Sequence, residues 1–181
     1  FNSRVDGLLI SLSPETEQMN HLDLFLRKNI PVVLFDRVHD RSDCRCTTVV
    51  IDNRRAGYDV TRHLLDQGCR QIAFVGENTD CAVFGERYHG YMDALEEAGI
   101  ENKEELVFRE RLNEGVGDRI LGSLLSVRPK VDGIFCANDV SAVSLMTALK
   151  RKGYSIPWDI AISGFNNTNI SRIVEPSLTT V

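Results

Sequence analysis

The feature that most constrains the fold of this chain is a regular alternation between short β-branched apolar runs and longer amphipathic stretches. The apolar runs predict strands at 8–10, 32–35, 48–51, 72–75, 105–108, 133–136 and 159–163. The helical spacing of apolar residues predicts helices at 15–28, 53–67, 86–98, 114–126 and 138–152. Strands that alternate with helices through short links are typical of parallel sheets covered by helices on both faces. The sequence therefore predicts an α/β fold.

Length and composition limit the size of the molecule and the partners that it can bind directly. Its 181 residues, 43% of them hydrophobic, can form one large or two small domains with a buried core. The 21 Lys and Arg against 26 Asp and Glu leave a net charge of -5, which argues against direct binding of DNA phosphates. No apolar stretch approaches the ~18 to 20 residues of a membrane span, so we expect no membrane association. An N-terminus without Met and a β-prone C-terminus suggest a fold truncated at both ends.

The cysteines indicate a reducing compartment. The chain has an odd number of cysteines, and no two of them form a C-x-x-C pair: Cys44, Cys46, Cys69, Cys81 and Cys136. Ligands of a zinc site would be clustered at spacings that this chain does not show. We therefore expect reduced thiols, no metal and a cytoplasmic location.

Polar residues follow the predicted strands at the points where an open parallel sheet binds its ligands, beyond the carboxyl ends of its strands. These residues are Asp36 and Arg37, Asp52 and Asn53, Asn138 and Asp139, and Asn166 and Asn167. A ten-residue loop, 76–85, is predicted to lead to Arg87 at the same edge. Carboxylates, amides and guanidinium groups suit the recognition of hydroxyl groups or base edges.

Motifs that would carry catalysis are missing from the sequence. It contains no G-x-S-x-G nucleophile elbow, no phosphate-binding G-x-x-x-x-G-K-[ST] loop and no H-E-x-x-H pair. We therefore predict no catalytic residue and no cofactor, and the protein is not expected to be an enzyme.

Several segments, in order along nearly the whole chain, carry a family resemblance. They include Val50 to Asn53, Arg87-x-x-Gly90-Tyr91, Asn138-Asp139 after an apolar strand, Gly164-Phe165 and Pro176-x-Leu-Thr-Thr-Val181. Together they resemble the regulatory domain of lactose/galactose-type (LacI/GalR) transcriptional repressors. The resemblance implies a two-lobed periplasmic-binding-protein-like fold, with parallel sheets flanked by helices. It places 1–52 in the N-terminal lobe, 53–165 in the C-terminal lobe, and 166–181 in a crossover segment back toward the N-terminal lobe.

The function implied by the resemblance is that of a ligand-sensing domain in a bacterial repressor. A small effector, such as a sugar or a related metabolite, is expected to bind in the cleft between the lobes. Operator DNA is expected to be bound by an N-terminal helix-turn-helix absent from this chain, and the regulator is expected to be a homodimer because operators have two-fold symmetry.

Three predicted ligand-binding residues have a plain structural alternative. Asp36 matches a position that lines the cleft in the family, or it is a solvated strand-end carboxylate. Arg87 matches the family's ligand-binding arginine, or it is a surface residue on an exposed turn. Asn138 matches a ligand-binding amide, and it also suits the N-cap of a helix.

Three further candidates leave the type of ligand open. Asn166 stands where the family usually has Asp, so the pocket is expected to be less negative. Leu112 lies in the region where an aromatic side chain of the family often stacks on the ligand. Ser13 follows a first-lobe strand and is expected to make a minor contact with the ligand.

Two other functions compete with the repressor hypothesis. A periplasmic sugar-binding protein of a transporter would share the fold, although unpaired cysteines argue against it. An enzyme on a doubly wound sheet would need a reactive constellation, since the fold alone does not fix the function.

Overall fold

Two parallel sheets form the framework of the chain. The computed structural model describes residues 5–13, 16, 18–38, 46–77 and 82–181. One sheet has the order β1-β2-β3, with β1 at Leu8–Ile10, β2 at Val32–Phe35 and β3 at Thr47–Val49. The other has the order β5-β4-β6-β7-β8, with β4 at Ile72–Gly76, β5 at Val107–Arg109, β6 at Gly133–Cys136, β7 at Ala161–Gly164 and β8 at Thr179–Thr180. The described pairings in both sheets are parallel, which confirms the predicted α/β architecture.

Helices cover both faces of the five-stranded sheet. The helices are α1 at Asn20–Arg27, α2 at Asn53–Asp66, α3 at Ala82–Glu97, α4 at Val116–Ser126, α5 at Asp139–Arg151 and α6 at Asn169–Ile173. Alternate residues of a strand face opposite sides of a sheet. In β4, Ala73 and Val75 pack in a core with α4 and α5, whereas Ile72 and Phe74 pack in a second core with α2 and α3. The continuous apolar runs of β4 and β6 are therefore strands buried on both faces.

The starts of two helices differ from the prediction by four residues or more. α1 begins at Asn20, and residues 15 and 17 of the helix predicted over 15–28 lie outside the described residues. α3 begins at Ala82, so the last four residues of the loop predicted over 76–85 are helical. Residues 78–81 of that loop also lie outside the described residues.

Glycine allows α2 and α3 to cross with their backbones in contact. A Cβ atom placed on Gly90 would lie 2.0 Å from the Arg54 carbonyl oxygen, and one on Gly57 would lie 2.4 Å from the Arg87 carbonyl oxygen. No side chain fits at either position, and glycine is the residue that permits so close an approach. The crossing fixes Arg87 against the first turns of α2.

The sheets divide the chain along its sequence. The strands of the three-stranded sheet lie within 8–49, and those of the five-stranded sheet lie within 72–180. β8 pairs with β7, so the segment 166–181 contributes a strand to the five-stranded sheet. The lobe boundaries after residues 52 and 165 stay a prediction. Of the helices described, none has the length and apolar character needed to cross a membrane.

Of the five cysteines, Cys44 and Cys81 lie outside the described residues, and one of the three described differs from the expectation. Cys69 and Cys136 are free and buried, and burial raises the pKa of both thiols. Cys46 is disulfide-bonded. The expectation of reduced thiols throughout the chain is therefore wrong at Cys46.

Candidate functional site

A buried arginine lies at the carboxyl edge of the five-stranded sheet. Arg87, in α3, is 3% exposed. Its Nε donates to Asn53 Oδ1 at 2.9 Å, and its Nη1 donates to the Ala137 carbonyl oxygen at 2.7 Å. Its Nη2 lies 3.5 Å from Asn166 Oδ1, at the long limit of a hydrogen bond. The guanidinium group thus joins α2, the end of β6 and the end of β7.

Aromatic rings complete the surroundings of this guanidinium group. The Arg87 Cζ atom lies 3.6 Å from the centroid of the Phe165 ring and 5.9 Å from that of Phe84. A guanidinium group over an aromatic face is stabilised electrostatically. We call Arg87, Asn53, Phe165, Asn166 and the Ala137 carbonyl the Arg87 cluster.

The start of α2 positions the Asn53 side chain. Asp52 is the N-cap, and its Oδ1 accepts a hydrogen bond from the Arg55 amide at 2.8 Å. Asn53 is 6% exposed, and its Nδ2 donates to the Ile51 carbonyl oxygen at 3.3 Å. Its Oδ1 is thereby turned toward Arg87.

Asn138 lies beside the cluster as the N-cap of α5. Its Oδ1 accepts a hydrogen bond from the Ser141 amide at 2.8 Å, and its backbone is extended. The structure therefore shows the capping role. Asn138 directly follows Ala137, whose carbonyl oxygen accepts from Arg87. Contact between Asn138 and a ligand stays a prediction.

Asn166 begins a turn with an unusual backbone. Its φ is 99°, that of Asn167 is 46°, and the Asn166 amide donates to the Val181 carbonyl oxygen at 2.8 Å. Positive φ is tolerated by Asn better than by most residues. The turn leaves the Asn166 side chain exposed and next to Arg87.

Asp36 and Ser13 follow strands of the three-stranded sheet. Asp36 is exposed at the end of β2 with a φ of 57°, and its carboxylate lies 3.7 Å from Arg37 Nε. Ser13 is exposed beyond β1, and its carbonyl oxygen accepts from the Thr16 amide at 2.9 Å. Both lie at strand ends as predicted, and their contact with a ligand stays a prediction.

Leu112 is directed at the core. It is half-buried and packs against both hydrophobic clusters of the five-stranded sheet. Its loop is held by Arg119, which donates to the Arg111 carbonyl oxygen at 2.5 Å and to Asn113 Oδ1 at 3.0 Å. A ligand contact at Leu112 stays a prediction.

The structure brings together Arg87, Asn166 and, through Ala137, Asn138. Sequence reasoning noted Asn53 as a strand-end residue but did not select it, and it missed the role of Phe165 altogether. The Gly-Phe pair after an apolar strand was the available signal. Across the described ranges, no three His, Cys, Asp or Glu side chains form a group that could hold a metal ion.

Similarity to known proteins agrees with this geometry. A family profile described as periplasmic binding protein-like domain matches residues 61–181. The HTH-type transcriptional repressor PurR of Actinobacillus pleuropneumoniae serotype 3 is 33% identical over 184 residues, which cover 100% of this chain and 53% of that repressor. The chain thus spans about half the length of the curated relatives it matches.

Solved structures show the same fold. The transcription regulator CcpA of Lactococcus lactis is 31% identical with a TM-score of 0.84, over 97% of this chain and 63% of that one. A complex of the transcriptional regulator CelR with cellobiose is 28% identical with a TM-score of 0.85, over 97% of this chain and 53% of that one. These relatives are transcriptional regulators rather than enzymes. The chain belongs to the periplasmic binding protein-like domain family, and within it to the effector-binding domains of LacI/GalR-type transcriptional regulators.

Proposed function

We propose that this chain is the effector sensor of a bacterial transcriptional repressor and has no catalytic activity. A small metabolite binds at the carboxyl edges of the two sheets, and its binding changes the affinity of a helix-turn-helix outside residues 1–181 for operator DNA. The relatives named as repressors are HTH-type, and nearly half of their length lies outside the matched part. The net charge of -5 supports the view that DNA is bound elsewhere in the protein.

The Arg87 cluster is the observation that carries the proposal. Arg87 is held by Asn53 at 2.9 Å and Ala137 at 2.7 Å, whereas its 3.5 Å contact with Asn166 is long enough for a ligand oxygen to replace. A ligand oxygen in place of Asn166 would thus meet a guanidinium group that Asn53 and Ala137 already hold in position.

The chemistry of the site favours a polar, uncharged or anionic effector. Asn166 offers both a donor and an acceptor where a carboxylate would offer only acceptors. Sugars, sugar phosphates and nucleobases carry matching donors and acceptors. The CelR relative was solved with cellobiose, which makes cellobiose a suitable first probe.

Homodimer formation and a cytoplasmic location belong to the same proposal, because repressors act on two-fold operators inside the cell. The disulfide at Cys46 favours the alternative, a periplasmic sugar-binding protein of a transporter, since disulfides persist in oxidising compartments. Operator binding by the intact protein distinguishes the two functions. A protein that binds cellobiose and no DNA supports the transporter alternative.

The test is a thermal-shift screen of the intact protein against cellobiose, sugar phosphates and nucleobases. A ligand at 100 times its Kd adds about 2.7 kcal/mol, or about 5 to 10 °C for a domain of this size. Arg87→Ala is expected to abolish the shift, and Arg87→Lys to weaken it, because Lys lacks the planar fork.

Arg109→Ala is the matched control for this screen. Arg109 ends β5 at the same edge of the sheet, and its Nη1 donates to Glu104 at 2.7 Å on the surface. The control is expected to keep the full shift. A shift that survives in Arg87→Ala contradicts the proposed site, and a bound effector that leaves operator affinity unchanged contradicts the proposed coupling.

A further inference from the structure

Asp139, the first residue of α5, has a buried carboxylate that accepts three hydrogen bonds. The residue is 1% exposed. Its Oδ2 accepts from the Thr168 amide at 2.6 Å and from Thr168 Oγ1 at 2.9 Å. Its Oδ1 accepts from Thr180 Oγ1 at 2.6 Å. These three donors come from the segment 166–181 and not from α5, which carries the carboxylate.

The two ends of that segment meet at Asp139. Thr168 lies just after the turn at Asn166, and Thr180 lies in β8. The Asn167 amide lies 3.3 Å from Thr180 Oγ1. The carboxylate therefore closes the segment into a loop, in which Thr180 is joined to the residues that directly follow Asn166.

The backbone of Asp139 connects the same point to the Arg87 cluster. The Asp139 amide donates to the Phe165 carbonyl oxygen at 3.0 Å, and the Phe165 ring lies 3.6 Å from Arg87 Cζ. A continuous chain of contacts thus runs from Thr180 through Asp139 and Phe165 to Arg87.

The donors around Asp139 call for an acceptor that carries no proton of its own. A Cβ atom on Gly164 would lie 2.5 Å from Asp139 Oδ1, so the carboxylate packs directly against the glycine backbone at the end of β7. A carboxylate accepts from donors on both oxygens, whereas an amide would direct an N–H group at one of them. The site is therefore matched to Asp.

We infer that Asp139 is a positioning residue, which couples the geometry of the Arg87 cluster to the position of β8 through Thr168 and Thr180. The regulatory meaning of this coupling rests on the proposed function, since an effector at Arg87 would then displace the segment 166–181. The coupling itself requires no effector.

The experiment follows the Arg87 Nε–H signal by 1H–15N NMR in the chain as it stands. A group above an aromatic ring is shielded, so loss of the Phe165 contact moves this signal downfield. Asp139→Ala and Thr180→Val are both expected to produce the downfield shift. Thr180→Ser keeps the hydroxyl group and is expected to leave the signal at its wild-type position.

Asp132→Ala is the matched control, because Asp132 precedes β6 whereas Asp139 follows it. Like Asp139, Asp132 has a carboxylate that accepts several hydrogen bonds, here from the backbone amides of Arg70 and Gln71. This variant is expected to lower stability without moving the Arg87 signal. Thr180→Val is expected to add no shift in the Asp139→Ala background.

Three outcomes would overturn the coupling: an unmoved signal in folded Asp139→Ala, an equal shift in Asp132→Ala, or an additive shift from Thr180→Val in the double variant. If Asp139→Ala does not fold, the pair Thr180→Val and Thr180→Ser decides the question alone. An unmoved signal in Thr180→Val then overturns the coupling. Because no effector is present, these outcomes leave the thermal-shift test of the proposed function untouched.

Discussion

At the scale of single residues, the candidate site is built from side chains that also hold the fold together. Asn138 caps α5, Asn53 anchors Arg87, and Arg87 joins three elements. A group with a structural partner is already oriented when a ligand arrives, so little side-chain freedom is lost on binding. Because the same side chains have both roles, we expect a substitution at the candidate site to affect stability and ligand binding together.

Two substitutions of Asn138 measure its contribution to stability apart from any role in ligand binding. Asn138→Ala removes the acceptor of the Ser141 amide and is expected to lower the free energy of unfolding by about 1 kcal/mol. Asn138→Asp keeps the cap and is expected to change stability by only a few tenths of that amount, since both residues are favoured caps. Urea unfolding measures both values. An Asp variant as unstable as the Ala variant would contradict the capping role.

At the scale of elements, the crossing of α2 and α3 determines where Arg87 lies. Gly57 and Gly90 remove the side chains that would hold the helices apart. Arg54 and Asp93 join the same helices on the surface with an Nε–Oδ2 distance of 2.6 Å, and this ion pair lowers the pKa of Asp93. An exposed pair of this kind contributes little to stability. The close backbone contact is therefore the feature that sets the geometry.

Gly90→Ala tests this contact directly. The new methyl group would lie 2.0 Å from the Arg54 carbonyl oxygen, so we expect a loss of about 1 to 3 kcal/mol from overpacking. Gly85→Ala, in the same helix, places its methyl group in open space and is expected to gain about 0.5 to 1 kcal/mol. Thermal unfolding of the two variants should shift in opposite directions. Equal shifts would mean that helix propensity, not the crossing, decides the outcome.

At the scale of the molecule, the five-stranded sheet separates two cores, and each contains one free thiol. Cys136 lies in the core under α4 and α5, and Cys69 lies in the core under α2 and α3. Burial raises the pKa of both thiols, because the thiolate form loses its hydration. The two cysteines thus report on opening of the two faces separately.

We expect neither thiol to be alkylated in the native chain, even at pH 9, where an ordinary cysteine with a pKa of about 8.5 is mostly ionised. At this pH the thiols of the unfolded chain lose their protons, whereas the buried thiols of the folded chain keep them. The free energy of unfolding therefore falls as the pH rises above about 8.5. Peptide mapping by mass spectrometry after iodoacetamide treatment, with and without urea, measures the labelling of each. Rapid native labelling of Cys136 would contradict its burial.

Local sequence patterns predicted β4 and β6 closely because both are buried on both faces and read as continuous apolar runs, whereas β5 begins at Val107, two residues after the predicted start. The start of α3 was wrong because Gly85 interrupts the apolar pattern after Val83 and Phe84. The partners of Arg87 were only partly found. Asn53 lies 34 residues away in sequence and Asn166 lies 79 away, and the order of the strands, which no local pattern contains, brings them together.

The left-handed backbone at the strand ends has a consequence for how the candidate ligand-binding residues can change during evolution. Asp36, Asn166 and Asn167 all have positive φ, a conformation that Asn, Asp and Gly adopt far more readily than β-branched residues do. A single mutation at Asn166 can therefore exchange an amide for a carboxylate or for bare backbone, with few other choices. Leu112 has no positive φ, so its backbone does not restrict the choice of residue, and its packing against both cores does so instead.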